Sequence, residues 1–322
     1  MKALAFTLAL TFASAAAADC TMSNSDRAFV AGAIRTWEEV RTTELHIAKR
    51  ELPRLVFFDQ QCVYDGIDPR GTAHDGTVHL PNGADVPARL MTFAATYGEP
   101  AKPFLVQALP ALWRAEERHR ENPQLERLMR SVFVHELTHA VQTAAFGDRL
   151  TQLEKEHAIA DLDDDIVQHR FANVDGYSDA YRAERDALYR VANEANVQRR
   201  RELAKEALQL VRARHERYFT KENAHFRELD ELFLGMEGAA NWAAYRAAVR
   251  DGATHAEAIA LINKSGRYWT QDEGLGLFLA IDALLPGEWQ SRITGDKVTG
   301  AWALLEEGAS RGSRTVRVIL RQ

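Results

Sequence analysis

The stretch Val132-Phe133-Val134-His135-Glu136-Leu137-Thr138-His139-Ala140-Val141 decides how the chain is read. It lies in a region that reads as helix from Leu109 onward. On a helix, positions i and i+4 fall one turn apart on the same face, so His135 and His139 can reach one metal ion. Glu136 stands beside the first imidazole and reaches a water on that ion. Zinc lowers the pKa of such a water toward about 7, and a neighbouring carboxylate can take its proton as it attacks a carbonyl. The expectation is a catalytic Zn2+ held by His135 and His139, with Glu136 as general base. The flanks agree, because Val132, Phe133, Val134, Ala140 and Val141 are uncharged while Arg127 and Arg130 fall outside the buried run. The plain alternative is a pair of structural histidines on a core helix.

Val132 to Val141 resembles the active-site helix of the zincin metallopeptidases, and the run from His135 to Val141 is similar to that of thermolysin-like enzymes. The resemblance covers this helix closely and the rest as a general plan of sheet, metal helix and helical C-terminal half. It implies a third protein ligand and one position left open for water. Met236-Glu237-Gly238-Ala239-Ala240-Asn241-Trp242 looks like the second metal helix of the gluzincin branch, which makes Glu237 the expected third ligand. Asn241, one turn further on, would hold a ligand imidazole, at a place usually taken by Asp. The separation between His139 and Glu237 is long for that pattern, so two rivals stay open: His157, with Asp161 one turn on, and Glu273 in Glu273-Gly274-Leu275-Gly276. The resemblance also implies a donor to the oxyanion downstream of the third ligand. Tyr268 is the first choice, with Tyr245 and His225 as alternatives. It further implies that the strand before the metal helix, Phe104 to Gln107, offers a free edge to an extended peptide.

Outward from this core, Asn24 to Lys49 places Phe29, Ile34, Trp37, Val40 and Ile47 at helical spacing and predicts one amphipathic helix ended by Pro53. Between residues 55 and 107 the pattern is β, with runs at 55–58, 77–80, 89–97 and 104–106 separated by Gly, Pro, Asn and Asp. Residues from about 151 to 232 form a charged helical stretch whose apolar positions are too sparse for a heptad repeat, so it reads as a hairpin with solvated faces inserted between the metal helices. The fold class expected is α+β, helix-rich, with a small N-terminal sheet in a single catalytic domain over residues 19–322.

Residues 1–18 read as a cleaved signal peptide, with Lys2, an apolar run from Ala3 to Ser14, and Ala16-Ala17-Ala18 before Asp19. That places the protein in the bacterial periplasm or outside the cell, where the only two cysteines, Cys20 and Cys62, are expected to bridge. The 40 basic and 46 acidic side chains among 322 residues give a net charge of −6, with no polybasic block. Nucleic acid and anionic membranes are therefore poor partners, and no later run is long enough to insert into a bilayer. Asp161, Asp163, Asp164 and Asp165 lack the glycine and closing Glu of a calcium loop and read as a solvated acidic face. The reading is an exported zinc metallopeptidase acting on a peptide or protein substrate. A zinc hydrolase of another ester, amide or lactone is the second reading, and a non-enzymatic helical binding protein is the third.

Overall fold

The computed structural model describes residues 20–311, apart from 161, 264–265 and 295–297. The signal-peptide reading of residues 1–18 and the place of Asp161 therefore lie outside the described residues. The chain opens with α1 (Asn24–Thr43), followed by β1 (Arg54–Phe58), β2 (Cys62–Asp65), β3 (Thr72–Ala73), β4 (Thr77–His79), β5 (Asp85–Pro87), β6 (Thr92–Tyr97) and β7 (Lys102–Ala108). The helical part comprises α2 (Pro110–Ala115), α3 (Leu125–His157), α4 (Ile166–Phe171), α5 (Tyr177–Asn193), α6 (Val197–Tyr218) and α7 (Phe226–Arg250). It continues with α8 (His255–Ile262), α9 (Trp269–Leu284), α10 (Ser291–Thr294) and α11 (Ala301–Ser310). The expected class, α+β and helix-rich with an N-terminal sheet, is the one observed.

Ser23 starts α1 by accepting a hydrogen bond from the Asp26 N–H at 3.1 Å, and Phe29, Val30, Ala33, Trp37 and Val40 form its buried face. The helix ends at Thr43, earlier than the periodicity suggests. Leu45 and Ile47 turn back to bond the carbonyls of Val40 and Arg41, so both stay buried outside the helix.

A five-stranded mixed sheet has the order β3-β2-β1-β7-β6. β7 runs parallel to β1 on one side and antiparallel to β6 on the other, and its residues Phe104 to Ala108 are buried. The strands β2, β3 and β5, of four, two and three residues, fall outside the runs expected from the sequence, in the stretches rich in Gly, Pro, Asn and Asp that read as turns. Cys20 and Cys62 are bridged, with 5.6 Å between their Cα atoms, and tie the start of the described chain to β2. Replacing both cysteines by Ser is expected to cost about 4 kcal/mol of stability in the chain-entropy model, measured by urea unfolding of oxidised parent and variant.

The helix α3 runs 33 residues, about 50 Å, and crosses the sheet with Phe133 stacked on Phe57 at 6.3 Å. It extends to His157, and α7 begins at Phe226, so the segment between the two metal-helix candidates spans residues 158–225 and not 151–232. This segment is no detached insertion. Ala187, Leu188 and Val191 of α5 and Leu203, Ala204, Ala207 and Val211 of α6 belong to the same buried core as the sheet and α9. One charged residue of α6 is also internal. Arg214, 2% exposed, donates two hydrogen bonds each to Glu184 and Asp230 at 2.8–3.0 Å and one to the Tyr177 hydroxyl. His215 adds a contact to Asp230 at 3.0 Å. Such a cluster costs desolvation that its hydrogen bonds only offset, so the stability of the region comes from its apolar face.

The helix α7 is buried nearly all round, which its Gly and Ala content permits. At Gly238 a Cβ would stand 2.6 Å from the Gly274 carbonyl of α9, and one at Gly274 would stand 2.9 Å from Gly238 Cα. The two helices therefore cross in backbone contact immediately after Glu237 and Glu273.

Candidate metal centre

His135 and His139 project from α3 and Glu237 from α7, and their ligand atoms all lie within 4.8 Å of one another. The two Nε2 atoms are 2.9 Å apart, with the rings nearly perpendicular. Glu237 Oε1 is 3.0 Å from His139 Nε2, and Oε2 is 3.4 Å from His135 Nε2. Three donors on one tetrahedrally coordinated ion, with bonds near 2.1 Å, would stand about 3.4 Å apart. The arrangement is already close to that.

The protein groups alone do not satisfy one another. Glu237 is 4% exposed, and its Oε2 is buried without a hydrogen bond among the described residues. His139 Nε2 lies within hydrogen-bond reach of both His135 Nε2 and Glu237 Oε1, and a single N–H there can answer only one of them well. A divalent cation among the three would remove both defects, and the residues fit a metal on that ground. Burial tends to lower the His139 pKa, but the Glu237 carboxylate overrides it and holds the imidazole up at about 9. Burial works to raise the Glu237 carboxyl, and His139 and His135 instead hold it well below the ordinary carboxylate range. The chain thus keeps an anion at a buried position where a cation is welcome.

Glu136 faces the same space. Its Oε2 accepts a hydrogen bond from the Ala94 N–H of β6 at 3.0 Å. Burial raises its carboxyl above the usual range, against the pull of His135 and His139. Gln142, fully buried one turn beyond His139, places Oε1 3.2 Å from His139 Nδ1 and fixes the ring. Gln142 was missed, although its spacing of i+3 from His139 is the signal that points to it. Asn241, expected to hold an imidazole, donates instead to the Gln271 carbonyl on α9 at 3.1 Å.

The rival ligands are elsewhere. His157 is exposed about 27 Å further along α3 and stacks on His225 at 4.2 Å. Glu273 is buried 3.7 Å from Arg214, where burial and then the Glu184 carboxylate hold its carboxyl well above the ordinary range. Its Glu-Gly-small likeness to the Glu237 segment has a packing cause, since both glycines serve the α7–α9 crossing. Tyr268 precedes the first residue of α9 with the Arg267 guanidinium 5.2 Å over its ring, and it is not among the described residues lining the cleft at the triad. Tyr245 is hydrogen-bonded to His255 at 2.8 Å.

The strand expectation needs correction. Phe104 to Gln107 lies in β7, which has β1 and β6 on its two sides and no free edge. The outer strand on this side is β6, and Phe93, Ala94 and Thr96 line the cleft. The Met91 carbonyl bonds to β7, so the odd residues of β6 face inward and Thr92, Ala94 and Thr96 turn their backbone groups outward. The sequence could not rank the two strands, because the order of a sheet is set by long-range pairing.

The fold and site define a helix-rich α+β protein with a possible His-His-Glu metal centre at the edge of a mixed sheet. Compared with models of protein families, with curated proteins and with solved structures, the chain gives no match.

Proposed function

We propose that the protein is a zinc-dependent metallopeptidase of the zincin type, exported to the periplasm or beyond. The observation that supports it best is the convergence of His135, His139 and Glu237 beside Glu136, whose carboxyl is tied to the outward edge of β6. The donor set of two imidazoles and one carboxylate suits zinc. When bound, the ion would polarise the scissile carbonyl and lower the pKa of water. Glu136 takes the proton of the attacking water at its carboxylate and passes it to the leaving amine. Gln142 keeps the His139 ring in its binding tautomer. The outward N–H and C=O groups of Thr92 and Thr96 and the C=O of Ala94 can pair with an extended backbone, and that edge favours a peptide over a compact ester or lactone. Export is supported by the Cys20–Cys62 bridge, which suits an oxidising compartment. Among the described residues no helix is long and apolar enough to cross a membrane.

The test is metal content and metal dependence together. The purified protein is expected to carry one zinc per chain and to cleave unstructured peptides. A chelator should stop cleavage, and stoichiometric zinc should restore it. Protein that binds no zinc from solution at micromolar concentration would end the reading.

A further inference from the structure

The cleft at the triad measures about 660 Å3 and follows α3 from His135 to Glu154, about 28 Å. Beyond the triad, Phe146, Leu150, Leu162, Phe233 and Met236 give its wall apolar surface, beside Thr143 and Thr151. Its rim also carries Glu154, Asp163 and Asp164, with Asp164 near enough to Glu237 to feel its charge. Among the described residues lining it there is no Lys or Arg.

The acidic rim is built into the fold. Thr270 Oγ1 donates to the Asp164 carbonyl at 2.6 Å, and Gln271 Nε2 donates to Asp164 Oδ2 at 3.0 Å. The Trp269 N–H bonds Gln168 Oε1 at 2.9 Å and anchors the following helix, α4, to the start of α9. Asp163 Oδ1 accepts the Asp165 N–H at 3.1 Å and lies 3.7 Å from His169 Nδ1. Among the described residues Asp165 Oδ1 and Glu237 Oε2 are buried without a hydrogen-bond partner, and Glu237 lines the cleft. Burial, then the field of Glu237, raises the Asp164 carboxyl, and burial, then Asp164 and Asp163, push Asp165 up to about 6. The protein sets these carboxylates in a cleft that also offers apolar surface and, among the described lining residues, no Lys or Arg to answer them.

A ligand that fits both features has a long apolar stem and a cationic tip, which describes lysine and arginine. We infer that the cleft takes peptides carrying a basic residue on one side of the scissile bond, its stem along the apolar wall and its charge at Asp163 and Asp164. This inference rests on the peptidase reading. A rim already held in place costs little ordering when it binds such a side chain.

A mixed peptide library digested by the zinc-loaded protein and mapped by mass spectrometry tests it. Blocked peptides differing only in lysine, norleucine or glutamate should also be titrated into the Glu136→Gln protein. Lysine and arginine are expected to be enriched at one subsite, and the lysine peptide to bind about tenfold tighter than its norleucine twin. The preference should shrink in about 0.5 M salt and in the Asp163→Asn/Asp164→Asn double variant, whose folding is checked by thermal unfolding. Cleavage without enrichment of basic residues overturns the inference and leaves the peptidase reading standing. Tighter binding of the glutamate peptide also overturns it. Zinc-loaded protein that cleaves no peptide sinks both.

Discussion

Replacing Glu136 by Gln is expected to lower kcat by about 10²- to 10⁴-fold while zinc stays bound at one equivalent. The side chain keeps its shape, and the amide oxygen can still accept the Ala94 N–H that Oε2 accepts at 3.0 Å. What it loses is the ability to take a proton. The fold should not suffer, since the variant removes a carboxyl whose charge is opposed by burial. Turnover, zinc content and thermal unfolding measured on one preparation separate the effects. Peptide hydrolysis at the parental rate would show that Glu136 is not the base.

The second large effect is on the metal. Glu237→Gln is expected to weaken zinc binding by more than about 100-fold, since loss of a supporting group alone costs 10- to 100-fold. In parallel, Glu273→Gln is expected to leave zinc affinity within about threefold of the parent, because Glu273 packs against Arg214 and Glu184 and not against the two imidazoles. Competition with a chromophoric chelator reads both. The pair discriminates the two Glu-Gly helices, which the sequence left as rivals. Zinc loss in Glu273→Gln with retention in Glu237→Gln would invert the assignment and break the centre described.

The α3 site was legible because its signal is local. Two imidazoles at i and i+4 share a helix face whatever the rest of the chain does, and their Nε2 atoms stand 2.9 Å apart. Gln142 was equally local and was overlooked. Glu237 was legible only through resemblance, since nothing in Met236 to Trp242 says which acidic residue the first helix will meet. The buried Arg214 cluster was not legible. A charge surrounded by other charges in sequence reads as solvated, and only the fold shows that α5, α7 and α9 close over it. The same limit applies to the sheet: that Phe104 to Gln107 is paired on both sides and β6 is outermost follows from long-range pairing alone.

The sequence by itself determined the helix-rich α+β class, the pair His135 and His139 with Glu136 beside them, and the one possible intramolecular cysteine pair. Each is a matter of composition, of counting, or of contacts within one helical turn. Only the crossing of helices and the order of strands bring Glu237, and not His157 or Glu273, to those imidazoles, set β6 beside the cleft, and put the acidic run at 163–164 in the same cleft as the triad. The energies that set such contacts are shared among residues far apart in the chain and leave no periodic trace in it.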